Sequence, residues 1–450
     1  MSKVNSVEWN GTLSPRPCDL CSAPFIKDSL FNRTRTGVRP AQGRQAITRC
    51  ANPVFAYISR IRNIETNTSQ DRIFFLDNLR AFVVLCVVGL HGAMVYMDYP
   101  PSWWYVTDPQ HSLFFTAVSI LVDIPIMMVF FFVAAYFTLP SLLRRDTKTF
   151  LKDKFIRIGA PWIVGVLLLT PPTEYLAYYS RHVPMGFLKF WATDFWGARY
   201  QQSVYWFLGI LSLFFVLSAL ARPWLLQIPR RNSPPSWKLL AGFWGITTLA
   251  VILLGLLHVP EVWFTGWYVF VFQPWRVPLY IGYFILGIIA WLNGWFTAAG
   301  YKPRLTPWSG LWILTGALYL ETRFACTRFA IIKMVHDLIH NNIPGQSPVI
   351  LHAYQAVLFN TFCLCSVMAG ASFFQRYVNG TGRVWQSLAA TSYGVYYIHP
   401  LIIYPLALCF MGLTFPLYLK ASVVTGLAFF LSWAASAFVL RKVPFLRRAF

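Results

Sequence analysis

The sequence predicts an all-α, polytopic membrane protein of about ten transmembrane helices with both termini cytoplasmic. Three observations carry this. First, 56% of the 450 residues are hydrophobic and only 12% are charged, with a mean hydropathy of +0.51; soluble domains carry about 25% charge. Second, from about residue 73 the chain becomes a series of long apolar runs between short loops, and a bilayer core of about 30 Å takes about 20 apolar residues per helix. Third, the basic residues sort by loop.

The expected spans are 75–97, 113–139, 157–173, 204–221, 238–257, 275–293, 307–321, 348–372, 387–411 and 415–439. The third and seventh are the shortest. If the N-terminus is inside, 29 of the 38 Lys and Arg fall on inner segments and 6 on outer loops. Cytoplasmic loops are enriched in basic residues, and an error of one helix would scramble that alternation. The net charge of +22 is therefore a topology signal. It points to the bilayer and its anionic headgroups, and away from nucleic acid. The 19 Trp and 22 Tyr suit the two membrane–water interfaces.

Three regions follow: a basic polar cytoplasmic segment, 1–72; a membrane domain, 73–440; and a basic cytoplasmic tail, 441–450. The first lacks the apolar run and small-residue cleavage site of a signal peptide. The cysteines do not form a disulfide framework. Cys86, Cys363, Cys365 and Cys409 fall in spans, Cys18, Cys21 and Cys50 face the reducing cytosol, and Cys326 stands alone outside. Cys18 and Cys21 supply at most half a zinc site. The outer His336-Asp337-Leu338-Ile339-His340 imitates a zinc motif with the shorter Asp in place of Glu and no evident third ligand. No metal is expected.

An ionisable group inside the membrane is a functional candidate by default, because it must be paired or face a cavity. The first run, LDNLRAFVVLCVVGLH, holds Asp77, Arg80 and His91. At 100° and 1.5 Å per residue, Arg80 and His91 share one face about 16 Å apart, and Asp77 can pair with Arg80. A snorkelling Arg and a satisfied core His would be the bland alternative. Asp123 lies mid-span in the second run, at a depth near His91, where it can orient His91 or neutralise Arg80. A purely structural ion pair is the competing reading. Arg144, Arg145, Lys154 and Arg157 cluster after the second run; such a cluster can bind phosphates, or be ordinary positive-inside charge. His399 precedes Pro400 in the ninth run, with Tyr396 on the same face; a hydrogen bond across helices is its expected role. The chain has no phosphate-binding loop, dinucleotide fingerprint or serine-hydrolase elbow.

These residues resemble the acyltransferase-3 family of integral-membrane acyltransferases over roughly 72–440. They look most like the branch of the glucan-modifying C-type proteins, which succinylate osmoregulated periplasmic glucans. The resemblance rests on five motifs in order: L-D-x-L-R…H with ten residues between Arg80 and His91, FFFVAAYF ahead of SLLRR, K-F-I-R at 154–157, VYWFL at 204–208, and SYGVYYIHP at 392–400. Ala134-Ala135 stand where the family commonly has Ser-Gly, and Lys154 where it has Arg.

The resemblance implies transfer of an acyl group, acetyl or succinyl, from cytosolic acyl-CoA to a hydroxyl of an extracytoplasmic carbohydrate, in the plasma (inner) membrane. Lys154 and Arg157, with Arg144 and Arg145, would hold the phosphates of coenzyme A. Arg80 would guide the acyl arm or stabilise developing charge at the inner mouth. His91 would be the general base, with Asp123 fixing its tautomer. Asp77, His399 and Tyr396 would support them. Arg276, near the outer end of the sixth run, could meet the extra charge of a succinyl donor. The rival from another class is a transporter of an organic anion or lipid-linked sugar, which buried Arg, Asp and His would serve equally well. The paired halves common in transporters are not evident in the sequence.

Overall fold

The computed structural model describes residues 73–450 except 102, 198, 258–261, 267, 298–299, 325–346 and 445. The segment 1–72 with Cys18, Cys21 and Cys50, and the outer loop with Cys326, His336 and His340, lie outside the described residues.

The described chain is helical almost throughout. The principal helices are α1 (Phe74–Val95), α2 (Leu113–Leu143), α3 (Thr147–Tyr179), α4 (Trp206–Leu220), α5 (Trp237–Leu257), α6 (Val277–Leu292), α7 (Leu305–Phe324), α8 (Ser347–Tyr377), α9 (Arg383–Ile398), α10 (Pro400–Met411) and α11 (Leu417–Ala435). A small antiparallel hairpin, β1 (Phe264–Gly266) with β2 (Phe270–Phe272), joins α5 to α6. Among the described residues, eight helices are long and apolar enough to cross a membrane, or nine if the bent pair α9–α10 is one span. Helix α7 covers the expected seventh run but is not among them; Glu321 and Arg323 close its apolar stretch. Large apolar side chains such as Ile246, Leu249 and Leu253 on α5 and Ile281 and Ile285 on α6 are exposed. Faces of that kind belong against lipid.

The chain shuttles between two ends. One end carries the basic loops: Asn78 at the start of α1 donates to the carbonyl of Val378 (2.7 Å), and Tyr136 on α2 to that of Trp295 (2.7 Å). The other carries the aromatic loops: Tyr200 donates to Tyr268 O (2.5 Å), and Gln202 to Val269 O (2.9 Å), tying loop to hairpin. Helix α2 packs along α1 and α6. A Cβ at Gly287 would strike the Phe132 carbonyl, so glycine there is what lets α6 lie so close to α2.

Helix α3, the α9–α10 pair and the end of α11, which runs into a π turn at Ser436–Leu440, depart from the regular α form. Helix α3 contains π turns at Phe155–Gly159 and Gly165–Leu169. The expected ninth span is two helices bent by 66° between Ile398 and Pro400, because proline has no N–H for the helix ladder and its ring crowds the preceding turn.

Candidate active site

The bend shapes the site. In a straight helix the N–H of residue 400 would bond the carbonyl of Tyr396. Pro400 has none, so that carbonyl needs another donor, and Nδ1 of His399 lies 2.7 Å from it. A carbonyl only accepts, so Nδ1 of His399 carries the proton and Nε2 is a lone pair. That Nε2 lies 2.7 Å from Nδ1 of His91. By the same accounting, Nδ1 of His91 donates, and its Nε2 is left as an acceptor with no partner among the described residues. The relay from Pro400 to His91 thus leaves His91 with a basic nitrogen at its open position.

His91 is held by rings. Its ring lies end to end and nearly coplanar with that of His399 (centroids 4.9 Å apart, 18° between planes) through their hydrogen bond, with the ring of Trp104 at 5.8 Å and that of Tyr404 at 6.3 Å. Trp104 and Tyr105 come from the loop after α1. Arg181 fastens that loop by donating to Trp104 O (2.8 Å), and Ser180 by donating to Tyr105 O (3.1 Å). His91 opens on a cavity of about 110 Å³, also lined by Trp104, Tyr105, Ser203, Asp123, Arg276 and Tyr396. A larger cavity of about 400 Å³ adjoins it and shares Asp123, Arg276, Trp103 and Trp263.

Asp123 reaches this site, but its partner is not the one expected. Its carboxylate accepts from Arg276 at 2.7 Å, and neither orients His91 nor neutralises Arg80. The reason is the buried guanidinium, which lies over the rings of Trp275 (5.1 Å) and Phe359 (5.3 Å) and needs a counter-charge in that setting. The contact expected of Asp123, on a ring nitrogen of His91, is made by His399. Since Asp123 already satisfies Arg276, the positive charge expected to meet a succinyl donor is neutralised.

Arg80 lies toward the basic end. It pairs with Asp77 at 3.5 Å, as the spacing predicts, and reaches the carbonyl of Ala389 on α9 at 3.5 Å. Its side chain is 41% exposed. The wider π turn at Phe155–Gly159 separates Lys154 from Arg157, which an α-helix would have kept on one face. The ammonium of Lys154 lies over Phe215 (4.5 Å) and Phe150 (5.5 Å). Arg157 and Arg145 instead flank Asp153, at 3.2 and 3.1 Å, and Arg144 is exposed. Asp146 caps the start of α3 by accepting from Thr149 N–H (2.9 Å), and the Thr149 hydroxyl, with that N–H behind it, holds its carboxyl below the usual range.

Two motifs separated by nearly two hundred residues meet here. Tyr205 of VYWFL donates to Tyr397 O (2.8 Å), Tyr396 donates to Val204 O, and Tyr397 reaches Pro161 O on α3 (2.9 Å). Tyr393 donates to Arg157 O (2.7 Å), so the basic cluster and the His399 helix are mechanically joined. The sequence reading missed the cage of Trp104, Tyr105 and Tyr404, and also Glu174, buried beside Tyr105. Paired aromatics in the loop after α1 were the available signal. Among the described residues, no group of three His, Cys, Asp or Glu is placed to hold a metal.

A family model described as an acyltransferase domain matches residues 73–439. Glucans biosynthesis protein C of Shigella dysenteriae serotype 1 is 24% identical over 352 residues, covering 74% of this chain and 83% of that protein. The protein of the same name from Escherichia coli K12 matches to the same extent, and that of Escherichia coli O6:K15:H31 is 23% identical over 348 residues, with the same shares covered. No solved structure matches.

Proposed function

The chain belongs to the acyltransferase-3 family and is a multi-pass membrane acyltransferase, and from that premise we propose that it moves an acetyl or succinyl group from cytosolic acyl-CoA to a hydroxyl of an extracytoplasmic carbohydrate. The observation that carries this reading is the His91–His399 pair, which leaves Nε2 of His91 as a base on a cavity. The names of its relatives, which concern glucans, suggest a cell-envelope glycan and the inner membrane.

In this scheme the basic end faces the cytosol. Arg144, Arg145 and Arg157 hold the phosphates of coenzyme A; Asp153 offsets part of their charge and orders the two guanidinia it touches. Lys154, tucked over Phe215, contributes long-range charge. Arg80 stands between this cluster and His91 and guides the acyl arm inward. Nε2 of His91 takes the proton of the acceptor hydroxyl as its oxygen attacks the thioester carbon. The carbon–sulfur bond breaks, and the proton passes to the departing thiolate. His399 accepts from Nδ1 of His91 throughout and stabilises the imidazolium as it forms.

Acyl-CoA consumption by the purified protein with membrane glycans tests this. His91→Ala should lower turnover by about 10²–10⁴, the usual worth of a positioned base. Full turnover by a folded His91→Ala protein would remove His91 from the role.

A further inference from the structure

The basic end holds two different charge environments. Asp153 takes Arg145 and Arg157, at 3.1 and 3.2 Å, and offsets part of their charge. Arg144 and Arg230 have no such partner: among the described residues neither is paired with a carboxylate. Both side chains are exposed.

Arg230 comes from the loop between α4 and α5, which is fastened to the end of α6. Arg231 N–H donates to Leu292 O (2.8 Å), Ser233 N–H to Asn293 O (3.1 Å) and Trp295 Nε1 to Ser233 O (3.1 Å). The first two bonds satisfy carbonyls that a helix end leaves free. So anchored, the guanidinium of Arg230 lies 4.5 Å from the ring centre of the buried Trp291. The same loop fixes the backbone of Arg144. Arg222 bonds the carbonyls of Leu142 (3.5 Å) and Arg145 (3.3 Å), on either side of it. Burial lowers the pKa of Arg230 from the usual guanidinium value, and so does the nearby charge of Arg144; the Tyr136 hydroxyl alone opposes them. Two arginines that repel each other are thus brought together on anchored backbone with no carboxylate between them. An ordinary solvated face would let such charges spread apart.

We propose that Arg144 and Arg230 form a phosphate site, where an anionic phosphate group bridges the two guanidinia at the junction of α2 with the α4–α5 loop. A guanidinium presents a planar fork that meets phosphate oxygens two at a time, and stacking on Trp291 holds one fork in place. The phosphate has two possible sources. One is the 3′-phosphate of coenzyme A, and that source rests on the donor reading, which already uses Arg144. The other is the headgroup of an anionic phospholipid, toward which the exposed Trp224 and Ile228 of the same loop would set the site.

The test uses the full chain in detergent micelles and equilibrium dialysis. The probes are coenzyme A beside dephospho-coenzyme A, which lacks the 3′-phosphate, and dihexanoyl phosphatidylglycerol beside dihexanoyl phosphatidylcholine. Wild type is compared with Arg230→Ala, Arg230→Lys and Arg231→Ala. At least one of coenzyme A and phosphatidylglycerol should bind wild type and bind Arg230→Ala about tenfold more weakly. Arg230→Lys should recover only part, because an ammonium keeps the charge and loses the fork. Arg231→Ala removes the same charge one residue away and should bind as wild type does. A loss seen with coenzyme A and not with its dephospho form identifies the donor's phosphate; a loss seen with phosphatidylglycerol and not with phosphatidylcholine identifies the lipid's. Equal loss in Arg231→Ala would reduce the site to diffuse charge and overturn it. Undiminished binding of both anions by Arg230→Ala also overturns it, and leaves the donor reading standing if coenzyme A is bound. Phosphatidylglycerol held through Arg230 by a wild type that binds no coenzyme A supports the site and overturns the donor reading.

Discussion

A proline decides which nitrogen of His91 is basic. Pro400 withholds an N–H from Tyr396, His399 supplies the donor, and the consequence passes along two imidazoles to the cavity. The chain of cause is local at one end and long-range at the other, since His91 and His399 are 308 residues apart. His399→Ala should lower kcat by about 10²-fold with little change in KM for either substrate. His399→Gln should recover part of it, because a side-chain carbonyl can also accept from His91 Nδ1. Steady-state kinetics on the folded variants checks this; equal loss in both, or a change confined to KM, would sink the relay. Individual residues were legible in the sequence where the chemistry was unusual: a His, an Arg and an Asp in apolar runs. Their partners were not. Asp123 could be seen to need a cation, but which cation depends on how α2 meets α6, and the two residues lie 153 positions apart.

At the scale of elements, the loop that supplies Trp104 and Tyr105 is clamped from both sides. Its backbone returns to α1 through Asp108 N–H on Val95 O (2.9 Å). Its Asp108 side chain accepts from Lys420 on α11 at 2.8 Å, with both side chains essentially excluded from solvent. Removing one partner of such a pair leaves a buried charge and typically costs about 3–5 kcal/mol, while replacing both with apolar residues can be near neutral. Lys420→Met alone should therefore lower the thermal midpoint of the solubilised protein sharply, and Lys420→Met with Asp108→Leu should restore most of it. A single variant as stable as wild type would show that the loop is held elsewhere. The helices themselves were largely readable, because about twenty apolar residues in a row leave little choice. What was not readable was their irregularity. The run 387–411 looked like one continuous helix and is two helices, bent at a His-Pro step. The third helix begins well before the expected 157, and its π turn puts Lys154 over Phe215 and Arg157 on Asp153.

Over the whole molecule, two chemically different ends meet in the middle. Arginines gather at the end where α2 gives way to α3. Tryptophans and the two joined cavities lie toward the other, and His91 opens on the smaller cavity. That polarity suits the proposed transfer across a membrane, with the donor at the charged end and the acceptor at the aromatic one. It was legible in outline from the sorting of basic residues among loops, whereas the cavities depended on loops folding back over helix ends. The most direct measurement reconstitutes the protein into vesicles of both orientations and supplies acyl-CoA carrying a radiolabelled acyl group, with a glucose oligosaccharide sealed on the opposite side. The expected result is label on the oligosaccharide only when acyl-CoA meets the basic end, with His91→Ala vesicles giving essentially none. Label transferred equally when donor and acceptor share one side, or undiminished transfer by His91→Ala, would contradict the account.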